Sequence, residues 1–339
     1  MKPFAWHQAR SSAEAASSAS ATCAETMTRM DDVPHGALVM AGGIDLLDLM
    51  KAEVLAPAQL ISVGDLADLQ SIAEIQGGAR VGAAITLAAL AAHPLIRPRY
   101  PALAAAAAGS ASAQIRNVAT LGGNLLQRPR CWYFRSRQQR CLRRGGVHCF
   151  AHDGENRYHA IFDNQRCAIV HPSSLAAVLV ALGAAVELID AAGGTRRLPL
   201  ESFLTPPVDD VTRENALQSK EVLVAVHLPA ICEGLRMAYS RRGEKDSFDW
   251  PLAEVAVVLE LETDGCCHRA AIILGAAAPA PHRSVAAERC LIGAVIDDQH
   301  ARAAASAAIA RATPLCDNAY KLPLFAALVH RTIVAAARG

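Results

Sequence analysis

Four of the ten cysteines, Cys131, Cys141, Cys149 and Cys167, fall within 37 residues with the spacing C-x9-C-x7-C-x17-C. Zinc sites usually use tight C-x2–4-C knuckles, which this spacing lacks. Four thiolates from a long irregular segment could instead hold a 4Fe–4S cluster, one cysteine per iron corner. The surrounding charge fits: from Ile75 to His152 there is no Asp or Glu but there are eleven arginines, seven of them between Arg128 and Arg144. Guanidinium groups near such a cluster would offset its negative charge and raise its reduction potential. An irregular stretch of roughly 40 residues is uncommon in a compact domain unless something organises it. Zinc, unligated thiols, and a nucleic-acid patch in which Trp132, Tyr133 and Phe134 stack on bases all remain open on spacing alone. His148 and His159 lie close by, but four cysteines already satisfy a cubane. The other six cysteines are scattered and read as small buried hydrophobes.

Two glycine-bearing segments could bind an anion. An apolar strand, Ala37–Met40, runs into Ala41-Gly42-Gly43 and then an amphipathic helix from about Asp45 to Lys51. Strand, glycine turn and helix leave backbone N–H groups free to meet a phosphate. The second segment, 114–126, reads as a loop carrying Thr120, Gly122, Gly123 and Asn124, whose hydroxyl and amide can hold phosphate oxygens or a flavin edge. Neither fits G-x-G-x-x-G, which disfavours a Rossmann site. Ligand-free turns and a dinucleotide site both fit this pattern.

The elements that must position these residues come from a chain of 339 residues, 33 Lys+Arg against 32 Asp+Glu, with 52% hydrophobic residues. That length and composition predict two domains and exclude a disordered chain. The near-zero net charge argues against a whole-surface nucleic-acid or membrane binder. No run of about 18 apolar residues exists, and the start, MKPFAWHQARSS, has no apolar leader core, so the chain by itself is expected to be soluble and cytoplasmic. Ten cysteines in such a chain are not expected to form a disulfide framework. Hydrophobic patterning predicts a strand over 3–7, a helix over 12–24, a strand over 60–63 and a hairpin over 72–85 around Gly77-Gly78. A strand over Glu221–Leu228 precedes a composition shift near 230–236. A second hairpin, 254–262 with 268–274, and three closing helices follow.

Together, MKPFAW, AGGIDLLDLMK, GSASAQIRNVATLGGNLLQR, KEVLVAVHLP and the part after Tyr239 resemble the FAD-binding middle subunit of xanthine dehydrogenase and aldehyde oxidase type molybdenum hydroxylases. The resemblance covers nearly the whole chain. The cysteine segment, CWYF to CAIVHPS, resembles the subgroup with a 4Fe–4S cluster in its flavin subunit, as in periplasmic aldehyde oxidoreductase and 4-hydroxybenzoyl-CoA reductase. The resemblance implies an α+β fold: a two-lobed FAD domain of the vanillyl-alcohol-oxidase (PCMH) type over 1–230, with lobes of about 1–58 and 59–230 and the iron–sulfur insertion at about 128–168. A CO-dehydrogenase-flavoprotein-like domain of a small antiparallel sheet plus helices would occupy 231–339.

Carried residue by residue, Val39, Met40, Ala41, Gly42, Gly43, Ile44, Asp45 and Leu46 would face the FAD diphosphate. Ala119, Thr120, Gly123, Asn124 and Leu126 would lie near the phosphates and isoalloxazine, and Val224 would be an apolar flavin contact. Cys131, Cys141, Cys149 and Cys167 would be the cluster ligands. Three positions depart from the family pattern: Ile44 replaces Thr or Asn, Ser174 replaces Asp, and Arg241 replaces Lys; each lost contact would cost about 1 kcal/mol of cofactor binding. No general acid or nucleophile is required. The implied role is electron transfer, from the two 2Fe–2S clusters of one partner to FAD, while a molybdenum-cofactor partner oxidises the organic substrate. The flavin subunit of a CoA-thioester dehydroxylase is the alternative enzyme, and a metal-stabilised nucleic-acid binder the alternative from another class. Export of a folded complex on a partner's twin-arginine signal would make the location periplasmic.

Overall fold

The structure, a computed structural model, describes residues 1–28, 33–245 and 248–338. Three short strands, β1 (Ala5–Gln8), β2 (Ala37–Met40) and β3 (Gln59–Ser62), form a parallel sheet in the order β1-β3-β2. Parallel neighbours need crossovers, and the helices Ser12–Ser18 and Ile44–Lys51 lie in them. The first helix stops well short of residue 24. Ser20 is drawn onto β2 instead: its N–H donates to the Ala37 carbonyl and its hydroxyl accepts from the Ala37 N–H. β3 is the central strand of this first sheet.

The second lobe is a five-stranded antiparallel sheet of β4 (Ile72–Ile75), β5 (Gly78–Gly82), β6 (Ala185–Asp190), β7 (Thr195–Pro199) and β8 (Glu221–Leu228), in the order β4-β5-β8-β6-β7. The helix Ser174–Leu182 packs on it and is buried along its whole length. Burial on all sides follows because its other side meets a third sheet, antiparallel, of β9 (Leu235–Arg242), β10 (Ala253–Leu261), β11 (Cys267–Gly275) and β12 (His282–Arg283), ordered β12-β11-β10-β9. Strand alternation divides β10 between two cores. Ala256 and Val258 join the core around helix Ser174–Leu182, whereas Val255 and Val257 join one with Phe325 and Val329 of helix Lys321–Arg338. The α+β architecture matches the expectation. The sequence reading missed β9, whose apolar alternation (Leu235, Met237, Tyr239) is interleaved with Arg236, Ala238 and Ser240 and runs into Arg241 and Arg242.

The insertion 128–168 contains a helical turn, Trp132–Arg135, and a 3-10 turn, Leu142–Arg144, and is otherwise irregular. It is anchored on both sides. The N–H groups of Ile161 and Phe162 donate to the Ala277 carbonyl, and the buried Lys321 ammonium donates to the carbonyls of Tyr158, His159 and Ala276. On the other side Arg135 reaches Asp45 (2.6 Å) and Asp48 (2.8 Å) in the first lobe.

Candidate functional site

A cleft of about 620 Å³ opens where the two lobes and the start of the C-terminal domain meet. Its floor depends on two glycines. Gly43 has φ +71° and turns the chain from β2 into helix Ile44–Lys51, which no side chain caps, so its first-turn N–H groups remain for a ligand. At Gly42 a Cβ would lie 2.0 Å from the Val118 carbonyl oxygen, so only glycine lets the two segments touch.

The second segment is helical rather than a loop, a correction to the sequence reading. Ser112 caps Ala113–Arg116 and Thr120 caps Leu121–Leu126, accepting from the Gly123 N–H at 3.1 Å. The Thr120 hydroxyl is therefore occupied as a cap. Gly122 donates to the Ala83 carbonyl at 2.7 Å, setting the helix close against the end of β5. The Asn124 side-chain oxygen accepts from Ser173 Oγ at 2.6 Å, and Ser173 also caps helix Ser174–Leu182.

All of the expected first-segment residues, Val39 to Leu46, line the cleft, as do Ala119, Thr120, Gly123, Asn124, Leu126, Ser174 and Arg241. Val224 does not: it is buried in the core, and its neighbours Val222 and Leu223 reach the cleft instead. Asp45 is held by Arg130 (2.9 Å), Arg135 and the Arg128 N–H (2.7 Å), so it joins the insertion to the first lobe. Arg241 donates to the backbone carbonyls of Gly109 and Asp249. Ser174 stands beside Glu254, a carboxyl from β10 that is 1% exposed and also bonded to Tyr239 Oη. Burial pushes that carboxyl up from its ordinary value, beside the position where the family pattern has Asp. Sequence reasoning missed Glu254, because nothing in a buried strand marks one carboxylate as the neighbour of Ser174. It also missed Trp250, which stacks under Arg130 at 4.5 Å on the cleft wall.

The four cysteines of the insertion share one neighbourhood. Cys131 packs against the core that holds Cys141 and against the one that holds Cys167, and Cys149 feels the Cys167 thiol electrostatically. Cys131 and Cys141 stand at helix N-caps. Burial raises the Cys131 thiol to about 12, opposed by the N–H groups of Phe134 and Tyr133; burial also raises Cys141, opposed by the N–H groups of Arg144 and Arg143. His159 Nε2 lies 3.2 Å from Cys131 Sγ. Among the described residues no group of three or more His, Cys, Asp or Glu is placed to hold a metal ion.

Several buried donors in and beside the insertion have no protein acceptor. Arg143 is 1% exposed, and its Nε and Nη2 are buried without a partner, as are Arg144 Nε and His171 Nε2. Unpaired buried donors are costly, and an anionic sulfur-rich cluster bound to these cysteines would supply acceptors. Most arginines of the segment are engaged by carboxylates. Arg130 and Arg135 pair with Asp45, Arg137 with Glu53, and both Arg128 and Arg143 with Glu214, while Arg143 and Arg144 also feel the thiols of Cys167 and Cys141.

Comparison with known proteins places this architecture. Residues 2–231 match the FAD binding domain in molybdopterin dehydrogenase, and residues 238–336 match the CO dehydrogenase flavoprotein C-terminal domain. The chain belongs to the FAD-binding medium subunits of the xanthine dehydrogenase and CO dehydrogenase family. It is 36% identical over 326 residues to the aldehyde oxidoreductase FAD-binding subunit PaoB of Escherichia coli K12, covering 96% of this chain and 95% of that one. The carbon monoxide dehydrogenase medium chain of Hydrogenophaga pseudoflava is 27% identical over 319 residues, 92% of this chain and 93% of that one. A carbon monoxide dehydrogenase structure from the same organism superposes with TM-score 0.72 at 27% identity, over 99% of this chain and 97% of that one. Quinoline 2-oxidoreductase from Pseudomonas putida 86 shares the fold, with TM-score 0.73 over 100% of this chain and 98% of that one at 24% identity. As a member of this family the chain is an FAD-binding oxidoreductase subunit, and the glycine-floored cleft fits the dinucleotide. No helix among the described residues is long and apolar enough to cross a membrane.

Proposed function

We propose that this chain is the electron-transfer flavin subunit of a molybdenum hydroxylase of the aldehyde oxidoreductase type, with a 4Fe–4S cluster held by Cys131, Cys141, Cys149 and Cys167. The observation that carries the cluster is the convergence of four thiols on a core whose guanidinium and imidazole donors lack protein acceptors. Similarity to an aldehyde oxidoreductase subunit over 96% of the chain favours that class over a CoA-thioester dehydroxylase. A molybdenum-cofactor subunit and a subunit with two 2Fe–2S clusters are the partners in this reading, in a cytoplasmic complex or one exported to the periplasm with a partner.

A bound flavin supplies a junction between single-electron and paired-electron transfer. The chain's own residues do the positioning. Gly42 and Gly43 bring backbone N–H groups close to the diphosphate, Ser173 fixes the Asn124 amide at the cleft, and Val222 and Leu223 wall it with apolar surface. Val39 to Leu46, Ala119, Thr120, Gly123, Asn124, Leu126, Ser174 and Arg241 are the proposed contact set.

A nucleic-acid patch fits poorly. Phe134 is fully buried, and Trp132 packs edge-on against Tyr133, Tyr158 and His159 instead of offering a free stacking face. One absorption spectrum with iron and flavin assays on anaerobically purified protein tests the proposal. A yellow-brown protein with four iron atoms and one FAD per chain is expected; a colourless, iron-free protein indifferent to flavin would overturn it.

A further inference from the structure

A buried chain of charges runs from the cysteines to the cleft. Arg143, two residues from Cys141, feels the Cys167 thiol electrostatically and places Nη1 2.5 Å from Glu214 Oε1. The other Glu214 oxygen, Oε2, lies 2.9 Å from Arg128 Nη1. Glu214 and Arg143 are 1% exposed and Arg128 4%. Both Arg128 and Glu214 line the cleft, while Arg143 does not. Backbone carbonyls complete the frame: Arg128 donates to Thr212 and Arg143 to Arg213. The Arg128 guanidinium also rests on the Phe134 ring at 5.0 Å, three residues from Cys131.

Two permanent cations sharing one carboxylate carry a net charge of about +1 out of reach of solvent screening, so each end feels the other's electric field. A buried triad of this kind is weak evidence for stability, since desolvation offsets much of its attraction. Its placement between two sites, with Arg143 Nε and Nη2 buried and unpaired, is what needs explaining.

Resting on the cluster reading above, we infer that Arg143, Glu214 and Arg128 form an electrostatic bridge that sets the potentials of the cysteine-bound cluster and the flavin together. The three are positioning residues. They move no proton and form no bond; they act through fixed charge. Arg143 governs the cluster end, Arg128 the flavin end, and Glu214 both.

Glu214→Gln removes the shared negative charge while keeping the side-chain shape, so both potentials are expected to rise. Redox titration of the isolated complex reads them, with EPR for the cluster and absorbance for the flavin. The expected change at each site is about tenfold in the one-electron equilibrium, equivalent to about 59 mV. Glu214→Asp restores the charge and is expected to bring both potentials back toward the native values. A merely structural role would lower cofactor content or melting temperature without moving the potentials of the fully loaded fraction. If Glu214→Gln does not load, Arg143→Lys against Arg143→Met makes the comparison from the cluster end, with only the Met variant expected to lower the cluster potential. Unmoved potentials in a loaded variant overturn the bridge and leave the cluster reading standing. An iron-free native complex overturns both.

Discussion

Gly42→Ala isolates the contact on which the cleft depends. Gly42 does not use the left-handed backbone region, so alanine brings no conformational penalty there; the whole effect is steric. The added Cβ would sit 2.0 Å from the Val118 oxygen and 2.9 Å from its carbonyl carbon. Ordinary contact begins at 3.4 Å, so the two segments must separate by 3.4 − 2.0 = 1.4 Å, and both atoms are backbone that cannot rotate away. Overpacking of this kind costs about 1–3 kcal/mol. If that cost falls on the cofactor-bound form, FAD affinity drops roughly 5- to 150-fold, at 1.4 kcal/mol per tenfold. If it falls on the fold, the melting temperature drops by about 2–4 °C per kcal/mol. Flavin-fluorescence titration of the deflavinated protein together with differential scanning fluorimetry divides the two. Gly183→Ala is the control: Gly183 has φ +73° but nothing within 4 Å of its Cβ position, so it is expected to lose about 1 kcal/mol of stability with FAD binding unchanged. A Gly42→Ala protein with native FAD affinity and native melting temperature would refute the close-approach role of Gly42.

Cys141→Ser is expected to bring iron below four per chain and to make 128–168 protease-sensitive; native iron content removes Cys141 from the ligand set. Asn124→Ala, and more mildly Ser173→Ala, should weaken FAD retention by about 1 kcal/mol with iron retained; loss of both cofactors together would show that the two sites are not separable. Lys321→Met leaves the carbonyls of Tyr158, His159 and Ala276 without their donor and is expected to cost about 3 kcal/mol, with early cleavage near residue 158 in limited proteolysis; an unchanged digest argues against the anchor. Burial pushes the Glu187 carboxyl up, but hydrogen bonds from His227 (2.5 Å) and Arg80 (3.3 Å) outweigh it and hold it below the usual Glu value. A lowered folded-state value makes its stabilisation complete above the unfolded pKa and lost as pH falls through the folded one. Acid melting curves of Glu187→Gln should therefore converge on the native ones at low pH and diverge toward neutrality.

The elements that carry the site were legible because local chemistry fixes them. Strand, two glycines and amphipathic helix over 37–51 need only neighbours in sequence, and the spacing of four cysteines together with an acid-free, arginine-rich run marked 128–168 before any folding was known. The hairpin of β10 and β11 followed from apolar runs on either side of Asp264-Gly265. By contrast, β9 was hidden because its apolar alternation is interleaved with Arg236, Ala238 and Ser240 and runs into Arg241 and Arg242.

What the sequence determined by itself was the inventory: two glycine-bearing segments, four candidate sulfur ligands and an excess of local positive charge. Tertiary structure decided what each was used for. It spent most of the arginines on Asp45, Glu53 and Glu214, left Arg143 within electrostatic reach of the Cys167 thiol, replaced Val224 with Val222 and Leu223 at the cleft, and brought Glu254 beside Ser174. The physical reason is range. Capping, turns and periodicity act over a few residues, whereas burial and ion pairing join groups 40 to 90 positions apart, and which partner wins is settled only when the chain has closed on itself.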